Sequence, residues 1–70
     1  MADYYFIKGQ IMDNMNKSDE AIREYSKCLD YDPLFYKASY ARASLYNQSG
    51  EYDKAINDYN SAIKSDQKTK

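Results

Sequence analysis

Apolar residues recur at helical spacing in two segments of the chain. The first segment carries this stripe: Ala21, Ile22, Tyr25, Cys28 and Leu29. The second carries its counterpart: Tyr52, Ala55, Ile56, Tyr59, Ala62 and Ile63. The i, i+3, i+4, i+7 spacing is that of an amphipathic helix, and a further helical stretch precedes each segment. The pattern therefore predicts an all-α fold of four antiparallel helices, over about residues 2–15, 19–31, 36–49 and 52–65.

Polar and turn-forming residues separate the predicted helices. Pro33 forces the second helix to end before it, because proline restricts the residue that precedes it. Gly50 suits the positive φ that often follows a helix. Ser18 or Asp19 is expected to cap the second helix. Residues 65–70 lack apolar anchors, and we expect this tail to fray.

The chain is partly similar to itself at a period of about 34 residues, a length typical of repeat proteins in which each unit is one helix pair. A shift by this period superposes identical residues in five pairs: Asp19 and Asp53, Ala21 and Ala55, Ile22 and Ile56, Tyr25 and Tyr59, and Asp32 and Asp66. The identities are concentrated at the small and large apolar positions of one segment. The sequence therefore predicts one structural unit that occurs twice.

On these residues the sequence resembles two tandem tetratricopeptide repeats, over about residues 2–35 and 36–69. Repeat one offers the pattern residues Tyr5, Gly9, Met12, Ala21, Tyr25, Cys28 and Pro33. Repeat two offers Ala43, Tyr46, Ala55, Tyr59 and Ala62, with Gln67 where the pattern has proline. The resemblance implies a single domain over residues 1–70, folded as a short right-handed solenoid. Its first helices would line a concave groove.

The first helix of each repeat differs from the family pattern at positions where this chain has a polar or charged residue. Lys8 and Arg42 stand where the family prefers leucine, and Ser39 stands where it prefers a large residue. The aliphatic stems of the two cations could still pack while the charges reach solvent. We therefore expect the first helix of repeat two to be less well anchored than that of repeat one.

The resemblance implies a scaffold that binds a protein or peptide in the concave groove. The candidate residues on this face are Phe6, Gln10, Asp13, Lys37, Tyr40, Ser44 and Asn47. Phe6 and Tyr40 lie off the core stripes and should be partly exposed, as aromatic anchors of interfaces often are. The alternative is that they pack on each other or on an adjacent chain. Lys37 matches one position of the family's carboxylate clamp, but Gln10 and Ala41 do not match the others.

The end of repeat two is a second candidate surface. Repeats stack on their neighbours, so the last helix is expected to expose a stripe formed by Tyr52, Ile56, Tyr59 and Ile63. This predicts self-association, with a dimer favoured. Residues 1–35 carry a net charge of -3 and residues 36–70 a net of +2, which favours head-to-tail or antiparallel contacts. The alternative is a structural fragment of a longer array that binds no ligand of its own.

The composition of the chain provides few of the residues from which catalytic, metal or cofactor sites are built. The chain has no histidine and a single cysteine, so a Ser–His or Cys–His pair and a four-ligand zinc site are excluded within it. Cys28 lies on an apolar stripe and is expected to be a buried, inert thiol. No calcium loop or glycine-rich phosphate loop occurs. We therefore predict a protein that is not an enzyme and that holds no metal or cofactor.

Charge and hydropathy indicate which other partners to expect. The net charge of -1 gives no global attraction to nucleic acid or to an anionic membrane. No apolar run approaches the roughly 20 residues that a membrane helix needs, and the N-terminal residues do not resemble a signal peptide. One cysteine fits a reducing compartment. We therefore predict a cytoplasmic location with neither nucleic acid nor membrane as a partner.

Overall fold

Among the described residues, four α-helices form two packed pairs. The computed structural model describes residues 1–68, with side chains up to residue 66. The helices are α1 (Ala2–Asn14), α2 (Ser18–Tyr31), α3 (Tyr36–Gln48) and α4 (Tyr52–Lys68). Helix α1 packs on α2, α3 packs on α4, and α3 also packs on α2. No strand occurs among the described residues, and the predicted all-α fold is confirmed.

The turns between paired helices use the same backbone conformation in both repeats. Gly50 has a φ of 83° after α3, as predicted. Asn16, the counterpart of Gly50 in repeat one, has a φ of 62°, and asparagine is among the few side-chain-bearing residues that tolerate this left-handed region. Helix α2 ends at Tyr31, before Pro33. The chain therefore reverses direction at equivalent positions of the two repeats.

Two predictions about helix ends are wrong. Lys17 occupies the N-cap position of α2, and neither Ser18 nor Asp19 caps the helix, because both already belong to its first turn. Helix α4 continues to residue 68, so the predicted fraying of the tail does not apply to residues 65–68. Ser65 is buried, and packing thus extends the helix beyond its last apolar residue. Residues 69–70 lie outside the described residues.

Small residues allow the helices of each pair to approach closely, and a large one fills the space beside them. Ala21 and Ala43 are completely buried, and Tyr25 has the largest of the fully buried side chains. A Cβ atom added to Gly9 would lie 2.5 Å from the ring of Tyr25. Burial raises the pKa of the Tyr25 hydroxyl to about 12, with Asp13 adding to the effect. The first helix pair is therefore built around the contact of Gly9 with Tyr25.

Candidate protein-binding surfaces

The predicted groove residues lie on α1 and α3 at matching positions of the two repeats. Five of the seven candidates are exposed: Gln10, Lys37, Tyr40, Ser44 and Asn47. Asp13 is half-buried. Apart from Tyr40, the exposed members are polar or cationic, so most of the predicted groove surface offers hydrogen bonds and one positive charge.

The two aromatic candidates differ in their environment. Phe6 is half-buried, and its ring centroid lies 5.1 Å from that of Phe35 and 5.9 Å from that of Tyr25. Tyr40 is 37% exposed, with the rings of Tyr36 and Tyr59 at 6.4 and 5.9 Å. Phe6 therefore belongs partly to the core. Tyr40 presents a positioned aromatic ring to solvent.

A charged cluster that the hydrophobic pattern did not predict joins α2, α3 and α4. The Nε and Nη2 atoms of Arg42 donate hydrogen bonds to the two carboxylate oxygens of Asp58, at 2.7 and 2.8 Å. The Nη1 atom donates to the hydroxyl of Ser26 at 2.9 Å, and that hydroxyl donates to the carbonyl of Ile22 at 2.8 Å. Such bidentate pairs are among the stronger charged hydrogen bonds.

This cluster corrects the expectation that α3 is weakly anchored. The Arg42 and Asp58 side chains are only 22% and 10% exposed, so the guanidinium turns inward and is largely shielded from solvent. The hydrogen bonds that Arg42 donates to Asp58 raise the pKa of Arg42, with burial acting in the opposite direction. Helix α3 contributes four buried residues and α1 one, because α3 lies between α2 and α4. Arg42 is consequently engaged within the fold.

Repeat one contains a looser form of the same ion pair. Lys8 and Glu24 are the counterparts of Arg42 and Asp58, and the Lys8 ammonium lies 3.8 Å from Glu24 Oε1. Glu24 is buried, and Lys27 approaches its other carboxylate oxygen at 3.9 Å. A cation in the first helix and an acid in the second, at the same positions of both repeats, is the sequence signal that could have revealed the pairing.

The predicted self-association residues lie along α4. Tyr52, Ile56 and Ile63 are 61%, 58% and 45% exposed, whereas Tyr59 is half-buried beside Tyr40. The four residues follow one another at intervals of four, three and four positions. This spacing places them on one face of the helix, so α4 presents a continuous apolar stripe, here called the α4 stripe.

The single thiol of the chain, that of Cys28, belongs to the hydrophobic core. Cys28 is completely buried, and this burial, with nearby acidic groups, raises the pKa of its thiol to about 11. Its thiolate, the reactive form, is therefore scarce near neutral pH.

Within the described part of the chain, no three His, Cys, Asp or Glu side chains are grouped so as to hold a metal ion. No helix in residues 1–68 has the length and apolar character that crossing a membrane requires.

The sequence matches the tetratricopeptide repeat family over residues 2–33 and 36–69. It is 36% identical over 58 residues to the DnaJ homolog subfamily C member 3 homolog of Dictyostelium discoideum, a match that covers 83% of this chain and 12% of that protein. Two crystal structures of MamA superpose on the chain with TM-scores of 0.94 and 0.84, at 29% and 30% identity. They match 97% and 96% of this chain over 40% and 37% of their own chains. The chain thus spans less than half the length of these relatives.

Proposed function

Since the chain belongs to the tetratricopeptide repeat family, we propose that it is a non-catalytic scaffold that binds a peptide or helix across α1 and α3. In this proposal, residues 1–70 form one domain with repeats over residues 2–35 and 36–69. The partner is a protein and not nucleic acid or a membrane, and the location is the cytoplasm. The proposed contacts are the concave residues: Phe6, Gln10, Asp13, Lys37, Tyr40, Ser44 and Asn47.

The observation that carries the groove proposal is the environment of Tyr40. Its ring is partly exposed, yet Tyr36 and Tyr59 lie against it. Binding costs side-chain entropy when mobile groups become ordered, and an aromatic ring that is already positioned loses less. Exposed Ser44 and Asn47 follow Tyr40 by four and seven residues, so they lie on the same helix face. Together they supply one aromatic anchor with hydrogen-bonding groups beside it.

We expect Tyr40→Ala to weaken binding of peptides selected on the wild-type chain by about tenfold or more, as loss of an interface anchor does. Selection from a random display library, followed by titration calorimetry with the selected peptides, measures the change. Tyr31→Ala is the matched control, because Tyr31 is an exposed tyrosine outside the proposed groove. Phe6→Ala is less informative, since Phe6 packs on Tyr25. If the selected peptides bound the Tyr40 variant and the wild type with equal affinity, the binding site would have to lie away from α3.

We further propose that the chain self-associates through the α4 stripe, as a dimer. Three of its four side chains are substantially exposed, and contiguous apolar surface on a small protein often marks an interaction site. A second candidate is that this face receives a further repeat of a longer array. The similarity of the two repeats favours this second candidate. Ile22 and Leu29 of α2 are packed against the core, whereas their counterparts on α4, Ile56 and Ile63, are exposed.

A further inference from the structure

The junction between the two repeats shows what kind of helix the α4 stripe can accept. At this junction α3 covers α2, and Ile22 and Leu29 of α2 pack against the core together with Ala41 of α3. Ala38 of α3 is completely buried. A helix that covers α2 therefore has small side chains three residues apart. The α4 stripe carries Ile56 and Ile63 at the positions of Ile22 and Leu29, and so repeats the apolar residues that α2 contributes to the core beside α3.

Helix α1 of a second copy does not meet this requirement. Its counterparts of Ala38 and Ala41 are Tyr4 and Ile7, which are 55% and 54% exposed. If α1 packed on α4 of a second copy as α3 packs on α2, Tyr4 and Ile7 would take the positions of Ala38 and Ala41. Their larger side chains would then need space that the neighbouring helix already fills. Overfilling a close-packed contact costs about 1–3 kcal/mol for added methylenes alone, and a tyrosine ring adds far more volume. Head-to-tail stacking in this geometry is thus sterically disfavoured.

Charge opposes the head-to-tail arrangement as well. At the internal junction Asp58 is the main cause of the raised pKa of Arg42, and the carboxylate of Asp30 on α2 adds a small favourable contribution. The counterpart of Asp30 is Lys64 on α4, and the counterpart of Arg42 is Lys8 on α1. Stacking α1 of one copy on α4 of another would thus replace an attraction between opposite charges with a repulsion between two lysines.

The α4 stripe is complementary to a second copy of itself. Its spacing of four, three and four residues is that of helices that pack side by side at a small crossing angle. An antiparallel arrangement places Ile56 opposite Tyr59 of the second copy, and Tyr52 opposite Ile63. At the flank of the stripe, Asp53 then approaches Asn60 of the second copy, which can donate a hydrogen bond to it. No like charges meet at this flank.

We propose that the chain forms a closed, antiparallel dimer in which the α4 helices of two copies pack on each other. This inference rests on the self-association proposed above and specifies its geometry. A two-fold arrangement uses the same surface on both copies and ends at two chains, whereas head-to-tail contacts would continue into larger assemblies. The exposed side of α1 then remains free in the dimer.

Sedimentation equilibrium of the wild type and two matched variants tests this geometry. Ile56→Asp places a charge in the α4 stripe, and Ile7→Asp places the same charge on α1 at a similarly exposed isoleucine, 58% against 54%. We expect the wild type to reach a limiting mass of twice the 8.2 kDa of one chain. Ile56→Asp should raise the dissociation constant of the dimer about 100-fold. Each dimer contains the substitution twice, and each copy of it should contribute about tenfold. Ile7→Asp should associate as the wild type does.

The outcomes separate this inference from the self-association on which it rests. A wild type that keeps the mass of one chain at all concentrations would refute self-association and, with it, the dimer geometry. Masses that continue to rise beyond two chains, with both variants impaired, would uphold self-association but overturn the closed antiparallel dimer. Circular dichroism of both variants checks their folding, which should be unchanged because both isoleucines are exposed in the single chain.

Discussion

Replacing Arg42 by alanine is expected to lower the free energy of unfolding by about 3 kcal/mol, because it leaves the carboxylate of Asp58 buried without its partner. Arg42 is also the residue through which α3 reaches both Asp58 of α4 and Ser26 of α2. Its loss should therefore weaken the junction between the repeats as well as the second helix pair. Urea unfolding followed by circular dichroism measures the change.

Two further variants test whether burial, and not only the short distance, gives the ion pair of Arg42 and Asp58 its effect on stability. The pair of Glu51 and Lys54 has nearly the same separation, 2.8 Å against 2.7 Å, but both of its side chains are exposed. We expect Lys54→Ala to change stability little, since solvent screens exposed pairs. The double variant Arg42→Met with Asp58→Leu should recover much of the loss, because no charge then remains buried. If Arg42→Ala is as stable as Lys54→Ala, the cluster does not anchor α3.

Tyr25→Ala is the other substitution for which we expect a large effect. Removing a large buried side chain costs about 3–5 kcal/mol, and small domains have only about 0.05–0.15 kcal/mol of stability per residue. The variant should therefore be largely unfolded, or close to it, at room temperature. Loss of the far-ultraviolet helical signal and of a cooperative unfolding transition would report this outcome.

The conservative change Tyr25→Phe keeps the ring against Gly9 and removes only the hydroxyl. We expect it to cost less than about 1.5 kcal/mol, as volume-conserving changes in a core do. Tyr31→Ala is the comparison at a more exposed ring, because Tyr31 is 59% exposed and stacks on Tyr5, and we expect it to cost much less than Tyr25→Ala. A cooperative, nearly wild-type transition for Tyr25→Ala would contradict the role of this ring as the centre of the first helix pair.

The order of small and large residues made the core predictable. Gly9, Ala21 and Tyr25 recur with their counterparts at a fixed interval, and helical geometry alone determines which of them face a neighbouring helix. Their burial in the structure follows from that geometry. The period of the pattern was thus sufficient to predict four helices arranged as one unit that occurs twice.

The errors arose where packing outweighed local preference. Arg42 was expected to extend to solvent because a lone cation usually does so, but its partner Asp58 lies 16 residues away on another helix. Only the tertiary structure brings the two together. The length of α4 was underestimated because Ser65 is polar, yet it is buried. Similarly, Ser18 is a common capping residue, but the helix already includes it and Lys17 precedes it.

The family resemblance and the helical register predict the groove residues, and the structure shows how far each of their side chains is exposed. Of the two aromatic candidates, Phe6 contributes to the core and Tyr40 is the more exposed. No sequence pattern distinguishes these roles, because both residues occupy the same position of their repeats. The difference arises from Phe35, which contacts Phe6 at the turn before α3.

Mapping a bound peptide onto the chain by nuclear magnetic resonance tests the proposed groove most directly. A peptide selected on the wild-type chain is titrated into isotope-labelled protein while backbone and side-chain amide signals are followed. We expect the largest shifts at Gln10, Tyr40 and Asn47, on α1 and α3. Shifts confined instead to exposed Arg23 and Asn57, which occupy equivalent positions on α2 and α4, would contradict binding across the concave face.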